Sequence, residues 1–248
     1  MLDNFLASLA FFTTIPIPQR KDHISSLAGI SAWITFVGLV IGLCVLFANK
    51  LFGLYFPTQV SSALTLVVWV GITGGLHLDG LADCTDAFFA AITAERRVQI
   101  MKDPHIGSFG VIGIVLLLLV KWAAIQAQVT DSIEIAPFIF SGQVGLLITP
   151  VMARWSVLWM DKRHSSNKEG LGYHFTSCIT TKTMIAASVL PLLMIALGGM
   201  KTIFTVIIGL FSAWFISWFA RKKIGSITGD VMGMTIEFVE GLCLICFI

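Results

Sequence analysis

Seven apolar stretches, at about residues 31–48, 58–76, 107–129, 135–155, 183–200, 202–220 and 231–248, take up more than half of this 248-residue chain. Each comes close to the roughly 20 residues an α-helix needs to cross the hydrocarbon core of a bilayer. Only 12% of the residues are charged, about half of the roughly 25% found in soluble domains, and the mean hydropathy is +0.90. A water-exposed surface cannot be built from so little charge. The sequence therefore predicts an all-α, polytopic transmembrane helical bundle of about six to seven spans, read as one integral-membrane domain over residues 1–248. Phe5, Leu6, Leu9, Ala10 and Phe12, closed off by Pro16 and Pro18, add an N-terminal interfacial or re-entrant helix. The fifth and sixth stretches meet at Gly199-Met200-Lys201 and are expected to form a hairpin. The seventh carries Glu237 and Glu240, and the sequence leaves open whether it crosses or re-enters.

The cations support alternate loops on one side, the pattern that orients membrane proteins. Arg20 and Lys21; Arg96, Arg97 and Lys102; Arg154, Lys162, Arg163, Lys168 and Lys182; and Arg221, Lys222 and Lys223 fall on one side. Lys50 and Lys201 fall on the other, and Lys121 lies inside the third stretch. The N-terminus and the two long polar loops, 77–106 and 156–182, are thereby predicted to be cytoplasmic. Sixteen Lys and Arg against fourteen Asp and Glu, a net charge of +2, exclude a nucleic-acid binder. No basic n-region or cleavage site marks a signal peptide. Cys44, Cys84, Cys178, Cys243 and Cys246 are scattered among apolar residues and are read as packing residues, the Cys243-x-x-Cys246 spacing included.

Few polar residues remain to carry chemistry. At the end of the second stretch Asp79, Asp83 and Asp86 stand at i, i+4 and i+7, within about a 60° arc of a helix. Three bare carboxylates on one face repel each other, and a divalent cation relieves that cost. An all-oxygen donor set suits Mg²⁺ or Mn²⁺ holding phosphate oxygens; the alternative is a solvated helix face. Gly107 and Gly110 open the third stretch, either as packing glycines or as a helix N-terminus facing phosphate. Arg154 and the Asn167–Phe175 loop form either a basic clasp for an anionic substrate or a topogenic loop with Trp155 and Trp159 as anchors. His164 and His174 lack ligand spacing and are read as surface residues. Glu95-Arg96-Arg97 reads as a solvated patch. Asp230, Glu237 and Glu240 line one side of the last stretch. Asp230 is the one expected to join the aspartates, and Lys121 is a candidate neutralising partner for the glutamates.

At these residues the chain closely resembles the adenosylcobinamide-GDP ribazoletransferase (cobalamin synthase) family. The resemblance rests on Phe11–Pro18, Gly75-Leu-His-Leu-Asp-Gly-Leu-Ala-Asp83 with Asp86, Ile100-Met-Lys-Asp103, Ile106-Gly-Ser-Phe-Gly110, Lys121, Arg154, Gly170-Leu-Gly172, and Thr228-Gly-Asp230 with Glu237 and Glu240. The chain departs from the family pattern at Thr14, Ala87, Pro104-His105 and Ser226, none of which removes a carboxylate. The resemblance implies a membrane transferase of substituted phosphate groups. It would join adenosylcobinamide-GDP to α-ribazole or its 5′-phosphate, releasing GMP, with Mg²⁺ as cofactor, at a prokaryotic inner or plasma membrane. Asp79 and Asp83 would hold Mg²⁺, Asp86 would be a further ligand or the base, and Asp230 would complete the site. Lys102, Asp103, Arg154 and Thr228 would bind substrate. His77 is a second base candidate, although a regular helix points it away from the aspartate face. Beyond substrates and lipid, a second copy or other corrinoid-assembly enzymes are the partners left open. The rivals are a CDP-alcohol phosphotransferase and an ion-coupled transporter.

Overall fold

The computed structural model describes residues 2–17, 27–90, 92–130, 143–160, 175 and 179–248, and among these the regular secondary structure is all helical. In order, the helices are α1 (Leu2–Phe12), α2 (Leu27–Ala32), α3 (Ile34–Gly53), α4 (Thr58–Thr73), α5 (Leu76–Phe89), α6 (Ala94–Ile100), α7 (Ser108–Thr130), α8 (Val144–Ser156, extended by a 3₁₀ turn to Trp159), α9 (Thr181–Ile224) and α10 (Gly229–Cys246). Arg20, Lys21, Lys162, Arg163, His164, Asn167–His174 and Cys178 lie outside the described residues, as do residues 135–142 of the fourth apolar stretch.

The chain is a helical membrane protein, but its helices divide the apolar stretches unequally. Three are long and apolar enough to cross alone: α3, the Ser108–Gln128 part of α7, and Gly199–Ile224 of α9. α4 and α5 qualify together, as a pair bent by 90°. Among the described residues, three or four of the about six to seven spans suggested by the sequence are met by length and composition. α8 and the first half of α9 are too short. α10 carries three acids that an isolated span would not tolerate. Yet α10 has 18 residues, about 27 Å of helix, and returns along α9: Lys201 Nζ, just after the α9 break, donates to the Phe247 and Ile248 carbonyls at 3.1 and 3.0 Å. α10 therefore covers the same depth as the neighbouring span and is shielded by protein. The break itself falls at Gly199 (φ 61°, ψ −149°), where the sequence placed the turn.

Close helix approach explains how α10 and α8 come to lie at the centre. Gly38 and Gly42 of α3 form a small-xxx-small pair against α8. A Cβ on Gly38 would stand 2.6 Å from the Pro150 carbonyl oxygen, and one on Gly42 would stand 3.0 Å from Leu147 Cα. Gly42→Leu is expected to push α3 off α8 and to lower stability by about 1–3 kcal/mol, the usual cost of overpacking. Thermal unfolding of the detergent-solubilised variant measures this; an unchanged melting temperature would contradict the close contact.

At 11 residues α1 is too short to cross, and it is fastened to the bundle by polar contacts. Ser8 Oγ donates to the Ile30 carbonyl at 3.1 Å. Thr14, a departure from the family pattern, donates from its backbone N–H to Ile72 O and from its hydroxyl to Gly71 O, both at 2.8 Å. The N-terminal segment is thereby tied to the end of α4, where the site begins.

Candidate active site

Two consecutive left-handed residues, Gly74 (φ 62°) and Gly75 (φ 70°), stop α4 and turn the chain into α5. Any other residue type would be strained there. α5 then carries Asp79, Asp83 and Asp86 on one face, as the spacing predicted. Its Gly80 allows the start of α10 to touch α5 backbone to backbone: a Cβ at Gly80 would stand 2.8 Å from the Asp230 carbonyl oxygen and 2.9 Å from its Cα. Gly233, one turn on, lies against His77 in the same way, its Cβ position 3.3 Å from His77 Cα. This crossing brings Asp230 to the α5 aspartates. The charges of Asp79, Asp230 and Asp86 all act on Asp83, and that of Asp79 acts on Asp230.

Thr228 serves as N-cap of α10. Its hydroxyl accepts from Val231 N–H at 3.3 Å and donates to Asp230 Oδ2 at 3.2 Å, so it orients the incoming carboxylate. Among the described residues no Lys, Arg or His forms an ion pair with any of the four aspartates. Among the described residues the cluster is negative and uncompensated, its side-chain donors are all oxygen, and this chemistry fits a hard divalent cation. Among the described residues no three carboxylates already stand as a ligand group.

Asp86 differs from its neighbours. Its Oδ2 accepts from Gly107 N–H at 2.7 Å and its Oδ1 from Gly110 N–H at 2.9 Å. The carboxylate thus sits on the N-terminus of α7, and a Cβ on either glycine would collide with it. The helix end that sequence reading offered to a phosphate is taken up from within, and Gly107 and Gly110 serve close approach.

Of three buried cations, Arg97 and Arg154 sit differently from their sequence reading, and Lys121 sits as expected. Arg97, read as part of a solvated patch, is buried and donates to the Ala87 carbonyl and, at 2.9 Å, to the Phe88 carbonyl, capping the C-terminus of α5. Arg154, expected at phosphate, is 0% exposed and ion-paired with Glu240, with Nη2 3.4 Å from His77 Nδ1. Lys121 holds both glutamates of α10: Glu237 at 2.6 Å, and Glu240. His77, Arg154, Glu240, Lys121 and Glu237 therefore form one buried network joining α5, α8, α10 and α7, with two cations and two anions. Because a guanidinium only donates, His77 Nδ1 accepts and its proton sits on Nε2, which has no partner among the described residues. His77 faces this network, on the side of α5 away from the aspartates.

Lys102 and Asp103 lie exposed in the turn after α6. The His105 backbone N–H (3.0 Å) and imidazole (2.7 Å) hold the Asp103 carboxyl below its usual range. Among the described residues no hydrogen bond or ion pair joins either residue to the four aspartates. Sequence reading missed the α5 cap made by Arg97. Its only signal was the position of Arg97 shortly after the helix end.

A family model described as cobalamin-5-phosphate synthase matches residues 4–248. A Brevibacillus brevis protein named adenosylcobinamide-GDP ribazoletransferase is 30% identical over 250 residues, covering 100% of this chain and 98% of the relative. Proteins of the same name from Geotalea daltonii and Novosphingobium aromaticivorans are 32% and 33% identical. They cover 100% and 97% of this chain, and 98% and 94% of their own lengths. No solved structure matches the chain. With a family match across nearly its whole length, and with the carboxylates of α5 and α10 gathered at one end of the bundle, this chain belongs to the cobalamin-5-phosphate synthase family.

Proposed function

We propose that this chain transfers the corrinoid phosphate of adenosylcobinamide-GDP to the ribose hydroxyl of α-ribazole or its 5′-phosphate. The hydroxyl oxygen forms the new bond to the corrinoid-side phosphorus, the bond from that phosphorus to GMP breaks, and GMP leaves with the electron pair. The hydroxyl proton passes to a carboxylate of the cluster. The observation that carries this reading is the juxtaposition of Asp230 on α10 with Asp79 and Asp83 on α5, with no protein cation paired to them among the described residues.

Asp79, Asp83 and Asp230 would hold Mg²⁺, which when bound neutralises the diphosphate and stabilises the departing charge. Asp86 supports the cluster by locking α5 to the N-terminus of α7. Thr228 aims Asp230, and the exposed Lys102 is available to a phosphate oxygen. Arg154 and His77 act from inside the bundle, where they fix α8 and α5 against α10. The cation pattern of the loops supports a cytoplasmic side for the aspartate end, in a prokaryotic plasma membrane.

The test is GMP release by the purified chain in liposomes. Release should require α-ribazole, stop on addition of EDTA and return with Mg²⁺. Release that is indifferent to EDTA, or turnover of a CDP-linked alcohol in place of the GDP-linked corrinoid, would contradict the proposal.

A further inference from the structure

The outward face of α9 is built unlike that of α7, another long span. On α7 the exposed residues are mainly aliphatic, as at Val111, Ile112, Val115, Leu116 and Leu119. On α9, Phe211, Trp214, Phe215 and Trp218 are 43–60% exposed. Phe211, Phe215 and Phe219 form a stacked ladder with centroids 6.2 and 6.3 Å apart and ring planes within 15°. The ladder climbs about 12 Å along the helix, deeper than a belt of interfacial anchors. At its top the ammonium groups fold back onto the rings: Lys222 lies 5.4 Å from the Trp218 ring and Lys223 5.3 Å from that of Phe219. These contacts hold two positive charges at the depth of the rings instead of letting them extend into water. Among the described residues neither lysine forms an ion pair with an acid.

An apolar ladder ending in fixed positive charge matches the chemistry of an anionic phospholipid. A second copy on this face fits poorly. Two chains inserted the same way and related by a two-fold axis along the membrane normal would bring one Lys222-Lys223 pair against the other. We propose that the outer face of α9 is a binding site for an anionic phospholipid, its phosphate between Lys222 and Lys223 and an acyl chain along the Phe211–Phe219 ladder. The site adjoins α5, since Phe219 meets the buried ring of Phe88 at 5.5 Å. The proposal is independent of the reaction the chain catalyses.

Tryptophan quenching by brominated lipid tests it in nanodiscs of the full chain. Dibrominated phosphatidylglycerol is compared with dibrominated phosphatidylcholine at equal mole fraction. The part of the signal due to Trp214 and Trp218 is obtained by difference from the Trp214→Phe/Trp218→Phe variant. Phosphatidylglycerol should be preferred about fivefold or more, which corresponds to at least one headgroup-level charge interaction. The preference should vanish in Lys222→Ser/Lys223→Ser, whose elution profile confirms that it is assembled. Equal quenching by the two lipids would overturn the proposal. So would a preference that survives the double substitution, or no quenching of these tryptophans by either lipid, as when a second copy covers the ladder.

Discussion

Asp83→Asn protein should insert and purify like the wild type yet release GMP about a thousandfold more slowly. Asn keeps the shape of Asp and removes one charge from the middle of the cluster. Asp83 lies among the charges of Asp79, Asp230 and Asp86, and in the proposed function its carboxylate helps to attract the divalent cation. Loss of a ligand that stabilises charge in the transition state removes several kcal/mol, and each 1.36 kcal/mol is about tenfold in rate. The same substitution relieves repulsion among like charges. The melting temperature should therefore stay level or rise, which separates a catalytic loss from a folding defect. Activity near the wild-type level would contradict the role given to Asp83, and a fall in melting temperature would contradict the uncompensated cluster.

Glu240→Gln should have the opposite signature. Glu240 is 0% exposed and ion-paired to both Arg154 and Lys121. Neutralising it leaves an excess of buried positive charge, and breaking a buried pair from one side costs about 3–5 kcal/mol. Little folded protein should accumulate, and what does should melt early. Glu237→Gln should do less harm, because Glu237 pairs with Lys121 alone among the described residues, and Lys121 keeps Glu240. Adding Arg154→Met to Glu240→Gln should restore part of the lost stability by removing the stranded guanidinium. Melting temperatures of the four proteins in detergent decide this. Equal losses from the two glutamate variants would contradict the central place of Glu240.

Much of the site was legible from residue spacing. Asp79, Asp83 and Asp86 needed only the helical repeat to fall on one face, and Asp230 was reached because an acid in an apolar stretch has to find protein or water. Gly80 was not legible as the crossing point, because a glycine's neighbours lie on another helix and leave no mark in local spacing. Arg154 was misplaced for a related reason. A single cation at the end of an apolar stretch looks the same whether it faces phosphate or Glu240, which lies 86 residues away in the chain. The fold was legible in class and in the break at Gly199. The bend between α4 and α5 was not, because hydropathy carries no mark of direction. The transporter alternative draws on Asp79, Asp83, Glu237, Glu240 and Lys121 as an ion pathway. The mutual pairing of Lys121, Glu237 and Glu240 accounts for those three as a brace.

The central claim is that carboxylates from two helices, α5 and α10, form one cation site for phosphate chemistry. The most direct measurement is Mn²⁺ binding to the Mg²⁺-free protein in detergent, followed by electron paramagnetic resonance of free Mn²⁺. The wild type should bind Mn²⁺ in competition with Mg²⁺, and Asp230→Asn should weaken that binding about tenfold or more, although it leaves every α5 carboxylate in place. Undiminished binding by Asp230→Asn, or no Mg²⁺-competed binding by the wild type, would contradict the account.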